Sequence, residues 1–247
     1  MIFSHTQAHP VVLITGAARR IGATIAHFLH QKGMNVIVHY HTSKPCAEDL
    51  VASLNQTRLQ SACTLQADLS AYHTLDVLIS QAVEIWGRLD GLVHNASIFV
   101  EDKHLTLADW PKLFAINVYA PMALSYAAWP YLEKQTGSII NITDIHAEKP
   151  LKGYAMYCQS KAALSLQTQA LAKAFAPSVR VNAIAPGAIM WPEAANELQS
   201  SQQQAIIAKT PLKRHGDPHF IAESAYFLLT QPFITGQTLK VDGGRSL

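Results

Sequence analysis

Val11-Val12-Leu13-Ile14-Thr15-Gly16-Ala17-Ala18-Arg19-Arg20-Ile21-Gly22 is the stretch that decides the fold. Its first residues form a continuous apolar run, the pattern of a strand buried on both faces of a parallel sheet. A glycine-bearing turn follows at once. Ile21, Ile25, Phe28 and Leu29 then recur at i, i+4, i+7 and i+8, one face of a helix that Gly33 ends. In such a strand–turn–helix unit the unpaired N–H groups and the positive dipole end of the helix favour a phosphate. Gly16 permits the tight turn, and Gly22 permits close approach of a pyrophosphate and of the helix to the sheet. Taken alone, the stretch fits an ordinary βα turn as well as it fits a dinucleotide site.

Outward from this unit, short β-rich runs alternate with longer helical patterns. Strands are expected at 36–40, 63–66, 92–94, 138–143, 179–184 and 238–241. Helices are expected at 45–57, 75–86, 111–133, 155–175, 193–209 and 219–229, with Pro121 and Pro130 bending or fraying the third of these. Strands separated by helices imply right-handed crossovers. The expected fold is therefore α/β: a single-domain, Rossmann-type, doubly wound parallel sheet of about seven strands with helices on both faces. The one domain spans 1–247. Ligands of such sheets sit at the carboxyl ends of the strands, so 187–216, the longest excursion from the alternation, is expected to fold over the site as a lid.

The 247 residues are 49% hydrophobic and 15% charged, with a formal charge of +2. A globule of this size buries roughly 70% of the surface of its extended chain, a sizeable core. Whole-chain disorder is excluded by the high apolar fraction. The near balance of 19 basic and 17 acidic residues, with no Lys/Arg run longer than two, argues against nucleic acid as partner. No apolar stretch approaches the ~18 residues of a membrane span, and the first ten residues lack a secretory pattern. Cys46, Cys63 and Cys158 are widely spaced and suggest neither a disulfide framework nor a zinc site. A soluble, cytoplasmic protein is expected. His39 and His41 share a strand face but lack a third ligand, so no metal is expected.

The end of the second strand discriminates between dinucleotides. A carboxylate there binds the ribose 2′-OH, whereas cations accept a 2′-phosphate. His39-Tyr40-His41-Thr42-Ser43-Lys44 contains no acid. Ser43 can donate to a phosphate, and Lys44 and Arg19 carry charge nearby, so NADPH is favoured over NADH. Tyr157 and Lys161 stand at i, i+4 on one helix face. An ammonium beside a phenol lowers the phenol pKa toward working pH, and Lys161 can also hold the nicotinamide ribose hydroxyls. Alone, the pair fits a packed tyrosine above a solvated lysine better than a catalytic pair, because tyrosine–lysine pairs at helical spacing are common.

Taken together, the motifs resemble the short-chain dehydrogenase/reductase family over nearly the whole chain. They are Thr15-Gly16…Gly22, Ala67-Asp68-Leu69, Asn95-Ala96-Ser97, Asn117, Tyr157-Cys158-Gln159-Ser160-Lys161, Pro186-Gly187 and Asp242-Gly243-Gly244. The resemblance implies that Asp68, with Leu69, meets the adenine and that Asn95 and Ala96 line the cofactor cleft. It implies that Pro186, Gly187 and Ile189 hold the carboxamide end of the nicotinamide, and that Asn117 belongs with the catalytic residues. It also implies a homotetramer, with helices 111–133 and 155–175 packing on partner copies. The tail Arg245-Ser246-Leu247 is expected to reach a neighbouring subunit's site.

Four positions depart from the general family pattern. Arg20 replaces the middle glycine of the turn. Asp144 stands thirteen residues before Tyr157, where serine is usual. His94 precedes Asn95 in place of asparagine, and Ser97 follows Ala96 in place of glycine, with Phe99 two residues on. The first, second and last of these, and the segment His39-Tyr40-His41, resemble the pteridine reductase branch. In that branch the phenylalanine at the position of Phe99 stacks on the pterin. By their own chemistry Ser97 can hydrogen-bond the pyrimidine edge, and Arg20 can pair with the cofactor phosphates and face the polar edge of the heterocycle. An ionised aspartate cannot donate a hydrogen bond to a ketone. Asp144 instead suits a C=N bond that collects a proton as hydride arrives, acting with Tyr157. Plainer roles stay open: Phe99 as core, Asp144 as a loop cap, and Thr143 as the hydroxyl if the register slips. The expected activity is NADPH-dependent reduction of a dihydropterin. A carbonyl or 3-ketoacyl reductase and a non-catalytic NADPH sensor are the alternatives. Cys158 reads as a small buried hydrophobe.

Overall fold

The run at 11–14 becomes a central strand whose side chains are buried on both sides. The computed structural model describes residues 9–192 and 198–247. Its strands are β1 (Val11–Ile14), β2 (Asn35–Tyr40), β3 (Ala62–Gln66), β4 (Gly91–His94), β5 (Ser138–Ile142), β6 (Arg180–Pro186) and β7 (Thr238–Val241). Its helices are α1 (Arg20–Gln31), α2 (Lys44–Thr57), α3 (Asp76–Trp86), α4 (Trp110–Phe114), α5 (Ala120–Glu133), α6 (Ala155–Ala174), α7 (Ser200–Lys209) and α8 (Pro218–Thr230). The strands form one seven-stranded sheet in the order β3-β2-β1-β4-β5-β6-β7, every pairing parallel.

Alternation along β1 splits the core in two. Val12 and Ile14 face one side with Ile25 and Leu29 of α1, Leu50 and Leu54 of α2, and Ile221 and Ala225 of α8. Val11 and Leu13 face the other with Leu78 and Ile79 of α3, Leu124 and Leu132 of α5, and Leu171 of α6. The chain winds one way from β1 to β3 and crosses back to β4. The strand order therefore reverses between β1 and β4, and their carboxyl ends splay into a crevice there.

Two helices differ from expectation. The helix predicted over 111–133 is α4, a π turn over Ala115–Tyr119, and α5. Pro121 lies in the first turn of α5, where a missing N–H costs least, and α5 continues through Pro130. The helix predicted over 193–209 begins at Ser200, where Gln199 and Gln202 cap each other reciprocally. Residues 193–197 of that prediction lie outside the described residues. Among the described residues, no helix is long and apolar enough to cross a membrane.

Candidate active site

The crevice between β1 and β4 is a cavity of about 700 Å³. It is lined by Gly16, Arg19, Arg20, Ile21 and Gly22 of the turn and the start of α1, and by Tyr40 at the end of β2 with His41 and Ser43 beyond it. Asn95, Ala96, Ser97 and Phe99 after β4, Asp144, Tyr157 and Lys161, and Pro186, Gly187 and Ile189 after β6 complete it. The turn is built for close approach. A Cβ on Gly22 would lie 2.5 Å from the Gly16 carbonyl oxygen and 2.6 Å from Asn95 Nδ2; one on Gly16 would lie 2.9 Å from Ala96 Cα. Arg20 holds φ +56°, the left-handed region, at the position where the resemblance has glycine. That conformation costs an ordinary residue about 1–2 kcal/mol. It aims the guanidinium across the cleft, where Nη2 donates to the Trp191 carbonyl at 2.9 Å.

Side chains from neighbouring strands clamp the turn. Asn95 Nδ2 donates to the carbonyls of Thr15 and Gly16, both at 3.0 Å, and the Thr15 hydroxyl accepts from the N–H groups of Asn95 and Ala96. The Gly16 N–H donates to His39 Nδ1 at 3.1 Å, and His39 Nε2 meets the Ala67 carbonyl at 3.2 Å. An Nδ1 that accepts fixes the neutral, Nε2-protonated tautomer. Burial favours the same form by pushing the His39 pKa down to about 4. His39 is thus a wedge between the turn and the end of β3. Among the described residues, no group of His, Cys, Asp and Glu is placed to hold a metal ion.

Three expected site residues lie outside the lining. Asp68 accepts from the Ser70 N–H and hydroxyl and sits 3.8 Å from His41 Nε2. Leu69 packs in the core. Asn117, in the π turn, accepts from the Ile98 N–H at 2.8 Å and donates to the Ile98 carbonyl and to Ser160 Oγ at 3.0 Å each. It positions the loop that carries Ser97 and Phe99. Lys44, expected near a 2′-phosphate, turns to Glu48 at 3.7 Å, which leaves Arg19 and Ser43 on the cleft.

The Tyr157 hydroxyl donates to Asp144 Oδ2 at 2.7 Å, while Asp144 Oδ1 accepts from the His146 N–H at 2.8 Å. The register is therefore unambiguous. Thr143 Oγ1 is spent on the Ile184 carbonyl at 2.9 Å, and Asp144 faces the tyrosine. The expected depression of the Tyr157 pKa is overturned. Burial first, and then the Asp144 charge and hydrogen bond, raise it well above 10. Lys161 Nζ donates to the Ile142 carbonyl at 2.9 Å and lies 5.7 Å from the Tyr157 ring centroid, and burial lowers its pKa to about 8. Phe99 stacks on Tyr154, with centroids 4.5 Å apart, and meets Tyr157 edge-on at 4.8 Å. Cys158 is buried and accepts from the Leu151 N–H.

Thr15, the His39 wedge and Tyr154 were missed from sequence. The place of His39 next to the carboxyl end of β2 was the available signal. Arg245 was expected at a neighbour's site, yet it lines the cleft of its own chain.

A family model described as Enoyl-(Acyl carrier protein) reductase matches residues 16–246. The chain belongs to the short-chain dehydrogenase/reductase family. Pteridine reductase 1 of Leishmania tarentolae is 34% identical over 96% of each chain, in line with the pteridine reductase-like branch. A 3-oxoacyl-(acyl-carrier-protein) reductase of Synechocystis sp. is 34% identical over 95% of this chain and 96% of its own. FolM Alternative dihydrofolate reductase 1 from Brucella suis, solved in complex with NADP, superposes with a TM-score of 0.86 at 34% identity, covering 96% of this chain and 95% of that one.

Proposed function

We propose that this chain is an NADPH-dependent pteridine reductase that converts a dihydropterin (dihydrobiopterin, dihydromonapterin or dihydrofolate) to its tetrahydro form. One observation carries the reading: the partner of the Tyr157 hydroxyl is the Asp144 carboxylate at 2.7 Å, where a carbonyl reductase of this family presents a serine hydroxyl.

The residues present fit the dinucleotide. Gly16 and Gly22 pack too closely on their neighbours to carry a side chain, and both line the cavity at the start of α1, where a helix N-terminus favours a phosphate. Arg19, Arg20 and Ser43 supply charge and donors, with no carboxylate after β2, so NADPH is favoured over NADH. Tyr40, His41, Asn95 and Ala96 flank the adenosine side of the cleft, Pro186, Gly187 and Ile189 the carboxamide side, and Lys161 the ribose. When bound, the cofactor supplies the hydride, which goes to C6 of the pterin.

Tyr157 places its proton at N5 as C6 is reduced. With a phenol pKa well above 10, Tyr157 holds that proton across the ordinary pH range. A proton passed from water by way of the Asp144 carboxylate returns to the Tyr157 oxygen as the first one leaves. The pair ends as neutral tyrosine and carboxylate, one proton having passed to the substrate. Phe99, braced by Tyr154, presents a flat wall to the heterocycle, worth about 0.5–1.5 kcal/mol beyond area burial. Ser97 and Arg20 meet its polar edge, and Asn117 fixes the loop that holds Ser97 and Phe99. Of the expected lid 187–216, the described residues 187–192 and 198–216 act as the cover, and 193–197 lie outside the described residues.

The exposed Trp110, Tyr119, Tyr126 and Leu166 on the α4–α6 side support packing on further copies of this chain as a homotetramer. A light-scattering mass of one chain at micromolar concentration would refute that assembly. Loss of nicotinamide absorbance on mixing NADPH with 7,8-dihydrobiopterin tests the activity. Turnover of a 3-ketoacyl thioester alone would favour the carbonyl-reductase reading, and turnover of neither would favour a sensor.

A further inference from the structure

We infer that Arg245 forms a carboxylate subsite at the α7 end of the cleft and selects dihydropterins whose C6 substituent ends in an acid. The inference rests on the pteridine reading above and names the substrate class within it.

Beyond the stacked rings of Phe99 and Tyr154, the described wall of the cavity includes the apolar side chains of Leu151, Met190, Trp191, Leu198 and Ile206. Among the described residues, Arg245 is a cation of this wall at its Ile206 side, and Arg20 reaches the wall at Trp191. Its Nη1 donates to the Ile206 carbonyl at 3.1 Å, and among the described residues no carboxylate pairs with it. A guanidinium carries five N–H donors in a fixed fork, and the hydrogen bond to Ile206 uses one. The remaining face matches a carboxylate in two-point geometry.

The tail that carries Arg245 is held in place. Asp242 accepts from the N–H groups of Gly244 at 2.9 Å and Ser246 at 2.7 Å, and its carbonyl accepts from the Arg245 N–H. Lys149 Nζ donates to the carbonyls of Arg245 at 3.4 Å and Leu247 at 3.1 Å. The Asp242-Gly243-Gly244 motif therefore turns the chain end back onto its own cleft. A ligand with an uncharged polyol arm leaves the Arg245 fork to water, whereas a terminal carboxylate fills it.

The experiment compares kcat/KM for 7,8-dihydrofolate, whose arm ends in carboxylates, with that for 7,8-dihydrobiopterin at saturating NADPH. The parent enzyme should favour dihydrofolate. In Arg245→Leu the ratio should fall about tenfold, carried by KM for dihydrofolate, and Arg245→Lys should recover part of it. Added salt should narrow the parent's preference. Lys149→Ala, which frees the tail and keeps the guanidinium, should shift the ratio in the same direction by less, and serves if Arg245→Leu does not fold. An unchanged ratio in both variants, or an equal loss on both substrates in kcat, overturns the subsite while dihydrobiopterin turnover leaves the pteridine reading standing. If the parent reduces neither compound, the pteridine reading itself fails and the subsite falls with it.

Discussion

The hydroxyl of Tyr157 donates to Asp144 Oδ2 at 2.7 Å, so the phenol of this site is held protonated by a carboxylate. Burial acts in the same direction, and the neighbouring Lys161 does not reverse it. A proton-delivering pair is the chemistry this relationship supports.

Replacing Asp144 therefore tests the pair. Asp144→Asn keeps the shape and removes the acid, and should lower dihydropterin kcat by about 10²–10⁴. Asp144→Ser should do the same while improving turnover of an activated ketone, because serine can donate to a carbonyl oxygen. Parent-rate reduction of dihydrobiopterin by both variants would return Asp144 to the role of a loop cap, consistent with its bond to the His146 N–H.

Lys161 should impose an alkaline limit on cofactor binding. Its pKa is lowered to about 8, so the ammonium is present below that pH and lost as pH rises through it. NADPH affinity should weaken above pH 8, and Lys161→Gln should bind weakly at every pH. A flat affinity between pH 7 and 9.5, followed by fluorescence titration, would contradict this.

His94 makes the fold acid-sensitive. It is fully buried on β4, with Nε2 3.0 Å from Ser125 Oγ, and burial pushes its pKa down to about 3. The unfolded chain takes up this proton near pH 6.5, and the folded chain does so only near 3. Stability is therefore lost as pH falls through that window, by about 2 kcal/mol between pH 6.5 and 5 from this residue alone. Urea unfolding of His94→Asn at the two pH values should show a loss smaller by that amount.

Gly22→Ala places a methyl 2.5 Å from a backbone oxygen and 2.6 Å from the Asn95 amide. Backbone must shift, at about 1–3 kcal/mol, and NADPH affinity should fall at least tenfold. Calorimetry that finds parent affinity in this variant would show that phosphates do not approach the turn here.

The sheet was legible because β1 reads as an unbroken apolar run and β2 and β5 as apolar-rich runs between helical periods, all three buried on both faces. The break at Ala115–Tyr119 was not, since a π turn leaves no compositional mark beyond the proline that follows it. Tyr157, Lys161 and Asp144 stand at fixed spacing on adjoining elements, so their meeting could be read from number alone. The sign of the Tyr157 shift could not. It depends on burial and on which of two neighbouring charges takes the hydroxyl proton, a matter of ångströms. The wedge role of His39 and the place of Arg245 in its own cleft could not be read for a related reason: their partners lie 23 residues away at Gly16 and 39 residues away at Ile206.

The most direct test of the account is one comparison at saturating NADPH: kcat/KM for 7,8-dihydrobiopterin against kcat/KM for a 3-ketoacyl thioester. A site that offers Asp144 where a ketone needs a donor should favour the dihydropterin by at least about a hundredfold, the low end of what a positioned acid contributes. A thioester turned over as fast as the dihydropterin, or faster, would contradict the assignment of Tyr157 and Asp144 as a proton-delivering pair for a ring nitrogen.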